Sequence, residues 1–236
     1  MSAAAAREPR CERVAHGILQ GRLSHAAAIA QCQELGLEMV EVDVIGPPWS
    51  TDLVVAHDLQ ESQAAPLGFT AALELLADGL SGSVRLNIDL KLPGYEEEVA
   101  QALRRYGLSD RVLVSTTENS SLALLRARHP DLPLGWSLPR MRRDPLANPV
   151  TMLPALAVLT YVRRALPGVA ANRIRRGEID ALMAHYKLIT PRLADAIRAA
   201  GGELYAWTVD DAQRIAELER LGVTGVISND PRLFGP

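Results

Sequence analysis

Eight short apolar, β-branched runs recur along 236 residues, six longer stretches with helical spacing falling among them. This rhythm limits the fold more than any other feature of the chain. The runs fall at 13–17, 39–44, 84–91, 111–116, 132–137, 180–186, 202–209 and 225–230. Helical patterns follow over 25–35, 69–78, 96–106, 119–128, 191–200 and 211–221. Parallel strands need long crossovers, usually helices, and eight repeats favour a closed barrel over an open sheet. The chain reads as α/β, a single-domain TIM (β/α)8 barrel over 13–236. Its start, "MSAAAAREPR", has no apolar core of secretory length, so 1–12 is read as a disordered tail. One extra strand, "LVVAHD" (53–58), follows the turn "GPPWST". The segment 138–180 is longer than its neighbours and reads as an extended connection, with "NRIRRGEID" (172–180) unplaced.

Composition excludes several classes. A net charge of −3 argues against a general nucleic-acid binder. No run approaches about 18 uninterrupted apolar residues, so no membrane span is expected. Cys11 and Cys32 have no metal-type spacing and read as reduced thiols. Together these features lead to the expectation of a cytoplasmic enzyme-sized domain. No GxGxxG loop, P-loop or GxSxG elbow is present, which argues against nucleotide-dependent transfer and serine hydrolysis.

The chemistry concentrates in "MVEVDVIGPPWSTDLVVAHD" (39–58), which sets Glu41, Asp43, His57 and Asp58 among apolar residues. Strand alternation puts Glu41 and Asp43 on one face and Val42 and Val44 on the other. Two carboxylates on one buried face are costly unless a cation or hydrogen bonds compensate them. In such barrels the active site lies at the carboxyl ends of the strands. His16, Glu41, Asp43, His57, Asp89, Lys91, Trp207 and Asn229 all fall at such ends. A single buried Asp is usually a structural acceptor, but ionisable groups from several strands at one rim are harder to dismiss. Three carboxylates, Glu41, Asp43 and Asp89, suit a hard divalent ion such as Mg²⁺ or Ca²⁺. His16 and His57 could divide proton transfer, and Lys91 could hold an anionic substrate group. The combination points to phosphate-ester chemistry.

Trp207 and His185, both at strand ends, are further candidates for the substrate. The loop "PRMRRDP" (139–145) could bring Arg140, Arg142 or Arg143 to an anion. His25 reads as a helix-cap residue, His129 as solvent-exposed before Pro130, and Asp58 as an organiser of the loop backbone.

The pieces "VAHG", "LGLEMVEVDV", "LVVAHD", "LNIDLK", "LVST", "LYAWTVDD" and "LGVTGVISNDP" run in this order over nearly the whole chain. In that order and spacing the chain resembles the glycerophosphodiester phosphodiesterases, whose pattern reads AHRG, ENT, IELDV, VVxHD, NIELK, WTVN and GIITNxP. The resemblance implies a barrel, a divalent cation on Glu41, Asp43 and Asp89, and catalytic roles for His16 and His57. The order of elements also resembles the sphingomyelinase D-type phospholipases, which use an Asp as third ligand.

The departures bear on recognition. Gly17 follows His16 where the family has Arg, Leu23 stands at the acidic position of ENT, and Asp89 is one methylene shorter than the usual Glu. Asp210 replaces the Asn of WTVN, and the insertion between His57 and Asp89 is nearly missing. Three readings follow. One is a metal-dependent phosphodiesterase for a small-molecule or bulky diester. The second is a tailoring enzyme of a specialised pathway, with the same metal site and a non-glycerol substrate. The third is a non-catalytic binding barrel.

Overall fold

Alternation along each strand decides which side chains enter the barrel and which meet the helices. The structure is a computed structural model that describes residues 11–20, 24–64, 66–138 and 149–234, with the backbone alone for 149–157. Its strands are β1 (Glu12–His16), β2 (Met39–Ile45), β3 (Val54–Val55), β4 (Arg85–Leu90), β5 (Val112–Thr116), β6 (Leu134–Leu138), β7 (Ala181–His185), β8 (Glu203–Trp207) and β9 (Gly225–Ser228). All but β3 are parallel to their neighbours, and β1 pairs with both β2 and β9 to close an eight-stranded barrel. The helices are α1 (His25–Glu34), α2 (Phe69–Gly79), α3 (Glu96–Arg105), α4 (Asn119–Arg128), α5 (Pro149–Arg175), α6 (Pro191–Ala199) and α7 (Ala212–Leu221). None of the described helices is long and apolar enough to cross a membrane.

Several helix ends are written in the sequence. The Ser24, Thr190 and Asp211 side chains accept from the first-turn amides of α1, α6 and α7. Gly222 ends α7 in the left-handed conformation.

Two element assignments are corrected. The segment 138–180 is not mainly a connection, because it holds the 27-residue α5. Pro167 lies within it, and tertiary packing around that turn holds the helix. Leu166 and Ala170 of α5 are buried with Leu182, Ala184, Leu193 and Ile197. The extra strand shrinks to the two residues of β3, antiparallel to β2. The barrel also begins one residue early, with Glu12 already in β1. Residues 1–10 of the expected tail, and Arg140, Arg142 and Arg143, lie outside the described residues.

The outward faces of the strands carry Val40, Val42, Val44, Leu86, Ile88 and Leu90 into the helix layer. Burying each such side chain is worth about 1.5–3 kcal/mol. The inward faces form tiers. A middle tier of Val14, Met39, Leu113, Met183, Tyr205 and Ile227 is fully apolar apart from the tyrosine hydroxyl. Gly225 leaves room for it, since a Cβ there would stand 2.7 Å from the Tyr205 ring. Above this tier, alternation sets His16, Glu41, Asp43, Asn87, Asp89 and Ser115.

Below it lies a second charged group. Arg85 donates to Glu12 at 3.0 Å, to both Glu203 oxygens at 3.1 and 3.0 Å, and to the Tyr205 hydroxyl at 2.9 Å. These residues close the amino-terminal end of the barrel, far along the strands from the rim. Removing the guanidinium strands two half-buried carboxylates. Arg85→Ala should therefore cost on the order of 2 kcal/mol, a discounted value because the group is partly exposed. A melting curve should show the loss, and the chemistry at the other end should persist in the folded fraction.

Candidate active site

The rim site depends on how β1 and β3 share one edge of β2. β1 pairs with Met39, Val40 and Glu41 and then ends at His16. From Val44 the same strand is paired by β3 instead, and the Ala56 amide continues the contact to the Asp43 carbonyl at 3.2 Å. This handover brings His57 over the end of β1. The rings of His16 and His57 stand 6.1 Å apart at 83°.

A short turn holds His57. Asp58 Oδ1 accepts from the amides of Gln60 and Glu61 at 2.8 and 2.9 Å, while Glu61 Oε2 accepts from the His57 amide at 2.8 Å. Asp58 thus organises the loop backbone, and Glu61 joins it in a reciprocal arrangement like a capping box. Among the described residues, the ring nitrogens of His57 have no hydrogen-bond partner.

His16 is held at both nitrogens. Nε2 lies 3.0 Å from Asp43 Oδ2, and Nδ1 lies 2.8 Å from Asn229 Oδ1. Asp210 determines which end of the Asn229 amide faces the ring. Its Oδ2 accepts from Asn229 Nδ2 at 2.8 Å, and its Oδ1 accepts from the Asn229 amide at 2.8 Å and from Ser228 Oγ at 2.9 Å. With Nδ2 committed to Asp210, Oδ1 must accept from His16 Nδ1–H. Since Nε2 faces a carboxylate, the imidazole is held doubly protonated. Burial opposes that charge, but the hydrogen bond to Asp43 and the charge of Glu41 outweigh it and push the pKa up to about 10.

The carboxylates are arranged around Lys91. Its Nζ lies 2.7 Å from Asp89 Oδ2 and 2.9 Å from Asp43 Oδ1, both ion-pair contacts. Ser115 Oγ donates to Asp89 Oδ1 at 2.6 Å. Burial would raise the Asp43 pKa, yet Lys91 and the bond from His16 hold it well below the carboxylate range. Glu41 fares differently. Burial raises it first, the charge of His16 lowers it, and Asp43 and Asp89 raise it again, leaving it at about 7.

The donor set fits a divalent cation. Oxygens of Glu41 and Asp43 lie within 4.8 Å of each other beside His16, whose charged ring offers no lone pair to an ion. Among the described residues Glu41 Oε2 is buried with no hydrogen-bond partner, and three carboxylates face two cationic side chains, His16 and Lys91. Asp89 stands outside that close group; Lys91 and Ser115 hold its oxygens, and Lys91 ties it to Asp43.

Farther round the rim, His185 and Trp207 are register partners with rings 5.5 Å apart. Trp207 Nε1 donates to the Met183 carbonyl at 2.9 Å, and Tyr186 stacks on His185 at 4.6 Å. His25 is the first residue of α1, next to its Ser24 cap. His129 is buried, not exposed: its Nε2 reaches Glu97 at 3.0 Å because the end of α4 packs against α3.

The site also contains residues that strand-end spacing alone did not select. Ser115, Glu61 and Asp210 each hold a neighbour, and Asn87 stands opposite Glu41 in the sheet register. Alternation in "VLVST" and "LNIDLK" places Ser115 and Asn87 inward, which is the signal that was available.

Comparison with known proteins gives a consistent answer. Residues 81–233 match the model of the glycerophosphoryl diester phosphodiesterase family. That span holds Asp89, Lys91, Trp207 and Asn229, while His16, Glu41, Asp43 and His57 precede it. A glycerophosphodiester phosphodiesterase of Caldanaerobacter subterraneus is 26% identical over 151 residues, which are 62% of this chain and 52% of that protein. One from Bacillus altitudinis is 26% identical over 154 residues, 63% of this chain and 54% of that protein. The chain spans about half the length of these curated relatives.

Solved structures extend the likeness over the fold. A glycerophosphodiester phosphodiesterase of Parabacteroides distasonis superposes with a TM-score of 0.68 at 15% identity, covering 95% of both chains. An Oleispira antarctica phosphodiesterase, solved with the product sn-glycerol-3-phosphate, gives 0.68 at 19% identity over 94% of each chain. The family match covers well over half the sequence, and the barrel it implies is the barrel observed. The chain belongs to the glycerophosphoryl diester phosphodiesterase family.

Proposed function

We propose that this protein is a divalent-cation-dependent phosphodiesterase that hydrolyses a glycerophosphodiester by acid/base catalysis between His16 and His57. The observation that carries this reading is the pairing at the rim: a fixed, doubly protonated His16 faces a His57 with free ring nitrogens, beside three buried carboxylates. The family supports the reaction class, and the Oleispira relative supports glycerol 3-phosphate as a product.

Glu41, Asp43 and Asp89 would hold the cation, with Mg²⁺ or Ca²⁺ suited to oxygen donors. When bound, such an ion supplies electrophilic charge at a phosphoryl oxygen. The chain's own residues do the rest. His57 takes the proton from the attacking hydroxyl, either water or the substrate's own neighbouring hydroxyl, in which case water must then open the cyclic phosphate. The new P–O bond forms as the bond to the leaving alcohol breaks. His16 turns its Nε2 proton from Asp43 to the departing oxygen, while Asn229 holds the ring through Nδ1. Lys91 adds positive charge on the phosphate side, and Trp207 and His185 offer an aromatic wall to the leaving group.

A second reading keeps the cation and changes the substrate. Gly17 favours it, because its backbone is left-handed at φ 69°, a conformation that strains any side chain. The loop after His16 is therefore built without a place for the family's arginine. Arg140, Arg142 and Arg143 are the proposed replacements, and cytoplasmic location remains part of the same proposal.

Three outcomes test the scheme. Glycerophosphocholine-type diesters should be cleaved with Mg²⁺ or Ca²⁺ and spared after exhaustive chelation. Activity that survives chelation would remove the cation, while inertness with every ion would bring the second reading forward. His57→Ala should lower kcat on the order of 10²-fold or more with little change in KM. Asp210→Ala frees the Asn229 amide to turn its Nδ2 toward His16. It should lower kcat about tenfold, the equivalent of one hydrogen bond of ~1.4 kcal/mol, with KM held within about twofold. An unchanged kcat would show that the amide needs no such restraint.

A further inference from the structure

Asn87 is the most thoroughly buried polar side chain of the barrel interior that no other group satisfies. It is fully buried, and among the described residues neither its Nδ2 nor its Oδ1 has a hydrogen-bond partner. Buried amides are almost always paired, since leaving one unpaired costs on the order of 1–3 kcal/mol per group. A chain has no stability reason to keep such a residue where a leucine would pack.

Its position supplies a reason. Asn87 is the register partner of Glu41 across the β2–β4 pair, so both side chains leave neighbouring strands on the inner face at the same height. Among the described residues Glu41 Oε2 is likewise buried without a hydrogen-bond partner, as is Asp43 Oδ1, which has the Lys91 ammonium at 2.9 Å instead. Two residues further along the same strands, Asp43 and Asp89 are register partners as well, and Lys91 joins them. The upper pair is therefore compensated within the chain, and the lower pair is not.

We infer that Asn87 is a positioning residue for Glu41. Its amide N–H holds one carboxylate oxygen, directly or through one water, while the other oxygen turns to the divalent cation. This inference rests on the cation reading above. Asn87 touches neither cation nor substrate; it fixes the ligand that does. The amide is left unsatisfied by the protein because its partner is a carboxylate whose place is set by ion binding, so stability is given up for affinity.

The test compares Asn87→Leu, which removes both polar atoms at similar size, with Asn87→Ser, which keeps an O–H donor. Mg²⁺ and Mn²⁺ are titrated calorimetrically into each intact protein, and melting is followed without added ion. The expected result is a Kd at least about tenfold weaker for Asn87→Leu, a smaller loss for Asn87→Ser, and an ion-free Tm for Asn87→Leu at or above wild type. A Kd equal to wild type in Asn87→Leu would overturn the inference. So would a fall in ion-free Tm in both variants with equal loss of affinity, because a purely structural amide would behave that way. Absence of binding by the wild type would instead overturn the cation reading, and the inference with it, before either variant is made.

Discussion

The whole upper half of the barrel is organised by the need to keep carboxylates ionised where water is scarce. Asp43 has no exposed side-chain surface and touches two cations, His16 and Lys91. Lys91 in turn binds Asp89, and Ser115 takes the remaining Asp89 oxygen. Each contact needs a specific strand to end at a specific height. A slip of one residue in β4 would turn Asp89 outward and Ile88 inward, so the charge pattern also pins the register. Glu41 is the member that this network leaves short of positive charge, and the proposed cation answers that shortage.

The histidines depend on the same arrangement from opposite sides. His16 is fixed by Asn229, which lies 213 residues away in sequence and sits beside it only because β9 pairs with β1. His57 is fixed by its own following turn through Asp58 and Glu61. One ring is thus immobilised by barrel closure and the other by a local motif. That division explains how His16 loses its ring freedom while His57 keeps its nitrogens available. The opposite end of the barrel carries a different ionic cluster around Arg85, well separated by the apolar tier of Val14, Met39, Leu113, Met183, Tyr205 and Ile227. Stability and chemistry are kept on different tiers, as is usual in this architecture.

Much of this was legible in the sequence because the barrel imposes two simple periods. The eightfold rhythm gave the closed sheet, and alternation within "MVEVDV" and "LNIDLK" gave the inward residues. What stayed hidden has physical causes. The segment 138–180 read as a connection, yet it holds α5, whose helical state is secured by packing of Leu166 and Ala170 on the neighbouring strand and helix. The burial of His129 depends on how α4 meets α3, which no local pattern encodes. Asp210 looked like a simple departure from a family motif. Its role emerged only when Asn229 and His16 were seen to share a hydrogen-bonded line with it. Glycine 17 shows the converse case: the missing arginine was plain in the sequence, but the left-handed turn that excludes it was not.

The central claim is that Glu41, Asp43 and Asp89 together form one divalent-cation site above the apolar tier. Anomalous scattering from a crystal soaked in Mn²⁺ tests it most directly. The account predicts a single strong peak bounded by oxygens of all three carboxylates, close to the ~2.1–2.6 Å expected for hard oxygen-bound ions, with His57 on the open side. A peak elsewhere on the molecule, or none while Lys91 keeps both of its carboxylate partners, would contradict it.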